Sequence, residues 1–329
     1  MKERVLITGA SGFVGYHLVE HALKNNLEVY AAVRKSSKID HLKEFRIQYV
    51  YLDFSNVDAL VKELEDKNYT YIIHAAGVTA AKTQQDYDRV NAEYTFNLGQ
   101  AIAQSNIKLK KFIFLSSLAA LGPLLMLNGV IQDNSTPNPV TAYGRSKLLA
   151  EEKLATIASL PIITLRPTAV YGPRDTGIFI ILKQFSKGFE PYIGRVEQHL
   201  SFIYVKDLAK LTLAALQSPI NNQTYNVSDG KFYDRYALAN FSKRVLNKKT
   251  FKVHLPLLLI KVLAGFLEKI YARSSKTPAL NIEKLNELNA ANWICDINNV
   301  TRDLNYLPEY DLKKGLEDTF AWYKQNKWL

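Results

Sequence analysis

With 329 residues, 47% of them hydrophobic and 22% charged, the chain has the composition of an ordinary globular protein of one compound unit or two domains, which excludes a disordered or low-complexity polypeptide. Its single cysteine, Cys295, excludes an intrachain disulfide, and together with an opening, MKERVLITGAS, that lacks the pattern of a secretory leader it points to the cytoplasm. The net charge of +11 is dispersed, with no arginine-rich tract and no nucleic-acid module, so it argues against a nucleic-acid partner while favouring anionic small molecules.

In chain order, Val5–Thr8 is a short apolar, β-rich run. It leads into Gly9-Ala10-Ser11-Gly12-Phe13-Val14-Gly15 and then a helical pattern through Leu18, Val19, Ala22 and Leu23. Strand, glycine turn and helix are the context in which a glycine motif binds a pyrophosphate, because the bare backbone approaches closely and the helix N-terminus offers free N–H groups. The second strand, Glu28–Val33, ends at Arg34-Lys35-Ser36-Ser37. An NAD site would place a carboxylate there for the ribose 2′-hydroxyl; two cations and two hydroxyls suit a 2′-phosphate, so NADP is expected over NAD.

Val50–Leu52 is a third strand, followed by Asp53 and Phe54 at an expected adenine edge, where Asp53 would otherwise cap a helix or turn of the next segment. Strand four, Tyr71–His74, runs into Ala75-Ala76-Gly77, small residues against which a flat cofactor can lie. A helix with Asn91 and Asn97 precedes the fifth strand, Lys111–Ser117, whose carboxyl end carries Ser116 and Ser117. Thr141–Leu154 reads as a helix with Tyr143 and Lys147 one turn apart, and an ammonium beside a phenol favours the phenolate. Pro161–Arg166 is a sixth strand, followed by Pro167, Thr168 and Val170. Alternating strands and helices imply an α/β fold with a Rossmann-type, doubly wound parallel sheet. The boundary falls near residue 167: a cofactor-binding domain over 1–167, with segments around 201–228 returning to it, and a smaller, mostly helical substrate domain over 168–329.

Leu255–Leu267 is apolar but shorter than a bilayer span and interrupted by Lys261. It reads as a buried or pocket-lining helix rather than a surface-associated amphipathic one. His17-Leu18-Val19-Glu20-His21 has the H-x-x-E-H form of some zinc sites, but no third ligand accompanies it, so no metal is expected.

Taken together, TGASGFVG (8–15), HAAG (74–77), FIFLSS (112–117), YGRSK (143–147), LRPTAVYGP (165–173) and FIYVKDLA (202–209) make the whole chain resemble the extended short-chain dehydrogenase/reductases. The resemblance implies that Tyr143 moves the proton of a carbonyl or alcohol oxygen, that Lys147 lowers its pKa and bonds the nicotinamide ribose, that Ser117 holds the same substrate oxygen, and that Asn91 supports the site. It also implies a homodimer through the helices beginning near Asp86 and Tyr143. Where many sugar-nucleotide members carry Tyr-Gly, this chain has Leu121-Gly122, and the following Pro123–Leu127 is apolar. The expected function is therefore NADP(H)-dependent hydride transfer to or from a secondary alcohol or ketone, with a sugar-nucleotide epimerase or dehydratase that retains its cofactor as the alternative.

Overall fold

The computed structural model describes residues 2–271 and 281–329. The first half largely alternates strand and helix, with only a short 3-10 turn between its second and third strands. β1 (Arg4–Thr8), α1 (Phe13–Lys24), β2 (Glu28–Ala32), β3 (Gln48–Val50), α2 (Val57–Lys67) and β4 (Tyr71–His74) come first. They are followed by α3 (Gln84–Asp88), a π-helical turn (Arg89–Glu93), α4 (Tyr94–Gln104), β5 (Lys111–Leu115), α5 (Ala142–Ala155) and β6 (Ile162–Pro167). The second half is more broken: β7 (Ala169–Tyr171), α6 (Phe179–Ser186), β8 (Phe189–Ile193), β9 (His199–Leu200), β10 (Phe202–Tyr204), α7 (Val205–Gln217), β11 (Gln223–Val227) and β12 (Tyr233–Asp234). α8 (Ala237–Leu246), β13 (Phe251–Leu255), α9 (Leu257–Tyr271), α10 (Ile282–Leu288), α11 (Asn298–Leu304) and α12 (Leu312–Gln325) complete the described chain.

Among the described residues the main sheet has seven strands in the order β11-β6-β5-β4-β1-β2-β3, all parallel. A parallel sheet needs both faces covered, which is why its strands are near-continuous apolar runs; every residue of β5 is buried. One face packs Val5, Ile7 and Ile113 against Leu18 of α1 and Leu211 of α7. The other packs Leu6, Ile72 and Phe112 against Leu60 of α2, Leu98 of α4 and Leu154 of α5. From β1 the chain winds one way through β2 and β3, then returns to β4 and winds the other way. The carboxyl ends of β1 and β4 therefore flank the switch point, where open α/β sheets leave a crevice. A third apolar cluster, with Tyr171, Phe185, Tyr204, Leu316 and Phe320, joins α6, α8 and α12 beyond the sheet.

Two expectations change. The third strand lies at Gln48–Val50, not 50–52, because Leu52 and Asp53 already leave the sheet for the turn that caps α2. The apolar segment expected as a buried helix is α9, and only one side of it is covered: Ala264 is fully buried, whereas Leu258, Leu259, Val262 and Phe266 stand in solvent.

Candidate active site at the carboxyl edge of the sheet

Gly9 turns the chain out of β1 with φ +69°, a conformation glycine adopts without strain. Gly15 brings α1 down onto that turn: a Cβ there would lie 2.1 Å from the Gly9 oxygen and 2.7 Å from the Ala10 Cα. Gly12 is the N-cap of α1, and it has no side-chain cap and no acid in the first turn after it. By contrast α2, α3 and α5 are capped by Asn56, Thr83 and Thr141. The first N–H groups of α1 are thus left uncapped beside the crevice, a fit for an anionic diphosphate.

Across the crevice, the end of β4 is held by a chain of buried hydrogen bonds. The Ala76 N–H donates to Thr8 Oγ1 (3.1 Å), which sits 2.8 Å from His74 Nδ1. His74 Nε2 lies 2.9 Å from Thr95 Oγ1, and Thr95 donates to the Asn91 carbonyl (2.8 Å). Thr95 spends its proton on that carbonyl, so His74 must donate from Nε2 and accept at Nδ1 from Thr8. Asn91, in the π-helical turn, accepts the Val78 N–H (2.8 Å) and donates to the Val78 carbonyl and to Ser146 Oγ (both 3.0 Å). Ser146 donates to the Tyr143 carbonyl (2.7 Å). One network therefore ties β1, β4, the helix with Asn91 and the helix with Tyr143.

That network requires a neutral His74, and burial, with the Lys147 charge behind it, pulls its imidazolium down to about 3. The ordinary value is near 6.5, so below it the unfolded chain takes up a proton that the folded chain refuses. The histidine's contribution to stability is lost as pH falls from about 6.5 towards 3. Relative to His74→Gln, the wild type is expected to lose up to about 1.4 kcal/mol of unfolding free energy per pH unit in that window, read by urea titration at pH 7 and pH 5. Asp175 and Asp229, each pushed up to about 6 by burial, act in the opposite sense, so the difference between the two proteins carries the signal. Parallel pH profiles would mean that His74 is not locked neutral.

Ser116 and Ser117 diverge at the end of β5. Ser116 donates to Glu151, which Arg166 grips through two nitrogens in an ion pair about nine-tenths buried. Ser117 instead caps a short turn through Ala119 N–H (3.2 Å) and faces the phenol of Tyr143. Thr141 accepts the Gly144 N–H (3.0 Å) and starts α5, which presents Tyr143 and Lys147 one turn apart. Lys147 is buried; its ammonium donates to the Leu115 carbonyl (2.9 Å) and lies over the Phe114 ring. Burial lowers it to about 8, against the pull of Glu151. The phenol is not lowered as the Tyr–Lys spacing implied. Burial pushes Tyr143 up to about 12; the Ser117 hydroxyl opposes this, and Glu287 and Tyr87 add to it. Gly77 leaves bare backbone here: a Cβ on it would sit 3.6 Å from Lys147 Nζ and 3.0 Å from Asn91 Oδ1.

The remaining expected residues lie at or after the carboxyl ends of β1, β2, β3, β4 and β6. Ala75 and Ala76 are half-buried, and Ser11, Phe13 and Val14 are partly open along the turn. Arg34 and Lys35 are exposed after β2 and pair with no acid among the described residues. Ser37, one of the expected phosphate hydroxyls, closes the local turn by accepting the Arg34 N–H (3.1 Å). Asp53 is exposed, and one of its oxygens accepts from the Ser55 N–H and hydroxyl, the capping use foreseen as the other reading. Phe54 is held by its carbonyl, which accepts from Asn97 (2.9 Å). Beyond β6, Pro167 is buried and Val170 half-buried, and Thr168 Oγ1 is a buried hydroxyl without a hydrogen-bond partner among the described residues.

Sequence reasoning missed Thr8, Thr95 and Ser146, although Thr95 stands one helical turn from Asn91 and Ser146 lies inside YGRSK. It also missed α10. Glu283 accepts the Ala142 N–H (2.6 Å) and pairs with Arg145, and Glu287 acts on the phenol. His17, one of the paired histidines, has its Nε2 3.0 Å from the Pro173 carbonyl, and no grouping of three metal-ligating side chains occurs among the described residues.

The family model described as NAD dependent epimerase/dehydratase matches residues 5–228. UDP-glucose 4-epimerase of Vibrio cholerae is 26% identical across 97% of this chain and 95% of its own. Ceramide reductase of Caulobacter vibrioides is 25% identical across 99% and 96%. A solved structure of UDP-glucuronic acid 4-epimerase from Bacillus cereus, in complex with UDP-glucuronic acid and NAD, superposes with a TM-score of 0.76 at 25% identity, covering 98% of this chain and 99% of the other.

Proposed function

The chain belongs to the NAD-dependent epimerase/dehydratase family, within the extended short-chain dehydrogenase/reductases, and on that premise we propose that it oxidises a secondary alcohol carbon of a nucleotide sugar and reduces it again, as a 4-epimerase does. The observation that supports the hydride-transfer chemistry is the convergence of the Tyr143 phenol, the facing Ser117 hydroxyl and the buried Lys147 ammonium beside the bare backbone of Gly77, and the UDP-sugar 4-epimerases among the relatives favour the epimerase over the reductase reading. This reading reverses the order set by Leu121 and the apolar loop after it. Leu121 is buried against Leu118, Ile131 and Cys295, so it is a packing residue whose presence says little about the substrate.

Gly9, Ser11, Gly12, Phe13, Val14 and Gly15 would hold the pyrophosphate through backbone N–H groups. Asp53 and Phe54 would meet the adenine, and Ala75, Ala76 and Gly77 the middle of the cofactor. Pro167, Thr168 and Val170 would meet the nicotinamide, with Asn91 supporting the loop between. The oxidised cofactor, when bound, supplies a hydride acceptor and a positive charge beside the phenol. Tyr143 takes the alcohol proton as the C–H electron pair leaves, and it returns that proton when the ketone is reduced. Ser117 holds the reacting oxygen on the phenol. Lys147 would place a positive charge one turn from Tyr143, which together with the charge of the bound cofactor would favour the ionised phenol against the burial that raises it. The sheet with its flanking helices through residue 167, completed by β11, would form the cofactor half and most of 168–329 the substrate half. A reducing cytoplasm and a homodimer through the helices near Asp86 and Tyr143 complete the proposal.

The test is a panel of UDP-hexoses and UDP-glucuronic acid supplied with catalytic NAD. An epimer should appear with no net change at 340 nm; stoichiometric cofactor consumption would instead favour the reductase reading. For the cofactor, we propose that NAD serves the reaction and that Arg34 and Lys35 also admit NADP. Arg34→Ala should weaken NADP about tenfold, the value of one charged hydrogen bond, and NAD less than about twofold, as measured by fluorescence titration. Equal losses would mean that this loop does not read the phosphate.

A further inference from the structure

α9 carries apolar residues on both sides. Leu257, Ile260, Ala264 and Leu267 turn towards the protein. On the other side Leu258 (73% exposed), Val262 (66%), Phe266 (60%) and Ile270 (54%) recur every four residues, with Leu259 (64%) and Leu263 (47%) beside them. Four-residue spacing makes one continuous stripe along a helix. A contiguous apolar surface of this size is rare on a protein that meets only water.

The segment leading into the helix is basic. Residues 241–261 contain Lys243, Arg244, Lys248, Lys249, Lys252 and Lys261 and no Asp or Glu. Lys243 and Lys252 approach the buried Glu190, at 3.0 and 3.8 Å. Lys248, Lys249, Lys252 and Lys261 are exposed. Phe251 and Phe189 are both exposed and paired in register at the start of the β13–β8 ladder. No described helix is long and apolar enough to cross a membrane. An apolar helical stripe beside lysines and exposed aromatics is the pattern of a helix that lies in the plane of a bilayer interface.

We propose that α9 and the basic segment before it dock on a membrane surface rich in anionic phospholipid. The charge selects this occupant over a second copy of the chain. A two-fold contact sets a patch against itself, so it would bring the basic segment against its own like charges, whereas anionic headgroups neutralise them. The surface is tied to the site already described. Glu268 of α9 accepts the Ile282 N–H at the start of α10 (3.0 Å), and Glu283 of α10 accepts the Ala142 N–H at the start of the helix bearing Tyr143. Docking would therefore bring the rim of the site to the bilayer surface. The docking stands apart from the reaction proposed above, and its failure would leave that reading untouched.

The test uses the full chain and sedimentation with vesicles of phosphatidylcholine alone or of phosphatidylcholine and phosphatidylglycerol in equal parts. The wild type should sediment with the mixed vesicles about tenfold more than with phosphatidylcholine alone, and high salt should release it. The double variant Leu259→Glu/Val262→Glu should lose the binding and keep its melting temperature, because both side chains are already in water. A second variant, Lys248→Glu/Lys249→Glu, leaves the apolar stripe intact and should lose the preference for phosphatidylglycerol. No sedimentation with either vesicle, or equal sedimentation of wild type and Leu259→Glu/Val262→Glu, would overturn the proposal. So would a dimer in size-exclusion chromatography that the same double variant dissolves while vesicles bind neither protein.

Discussion

Tyr143→Phe is expected to lower kcat by about a thousandfold, within the range for removal of a positioned acid/base, with cofactor affinity within about twofold of wild type. The phenyl ring keeps its packing against Tyr87 (ring centroids 6.4 Å apart) and loses only the oxygen that Ser117 faces. In the protein alone burial holds the phenol protonated, at about 12. Ionisation at neutral pH then depends on positive charge brought close, and Lys147, lowered to about 8, supplies less of it as pH rises through that value. Oxidation of an alcohol should accordingly be more sensitive than reduction of a ketone to Lys147→Met, since only the first needs the phenolate. Turnover by Tyr143→Phe within tenfold of wild type would place the chemistry elsewhere.

Gly15→Ala is expected to cost about 1–3 kcal/mol of stability, or more, and to weaken NAD by at least about a hundredfold. The added carbon would meet the Gly9 carbonyl and the Ala10 Cα, which are backbone and cannot swing aside. α1 would have to lift off the end of β1, moving the N–H groups that the glycine turn aims into the crevice. Thermal unfolding and an NAD titration check both halves. An unchanged affinity with lowered stability would show that the turn serves packing alone.

Much of the seven-stranded sheet half was legible because its signals are local. A strand, a glycine turn and a helix are contiguous in TGASGFVG, and Tyr143 and Lys147 are one turn apart on one helix. Roles that depend on distant partners were not. Nothing at Asp53 says that Ser55 will occupy one of its oxygens, and nothing at Tyr143 says that Glu283, about 140 residues later, will hold the start of its helix or that the charge of Glu287 will act on its phenol. The ammonium one turn away does not by itself lower the phenol in the protein alone, because Lys147 is anchored on the Leu115 carbonyl and burial dominates. The apolar segment at 255–267 was ambiguous for a related reason. A helix apolar on both sides fits a core and an interface equally, and only the packing reveals that one side of α9 is left bare.

The most direct test of the central claim, reversible hydride transfer at a nucleotide-sugar carbinol carbon with Tyr143 moving the proton, is the fate of deuterium at C4 of a UDP-hexose turned over in ordinary water with catalytic NAD. The C4 epimer should form and keep its deuterium at C4 in every molecule, with Tyr143→Phe producing none. Product carrying solvent hydrogen at C4, or a wild-type enzyme that leaves the sugar unchanged, would contradict it.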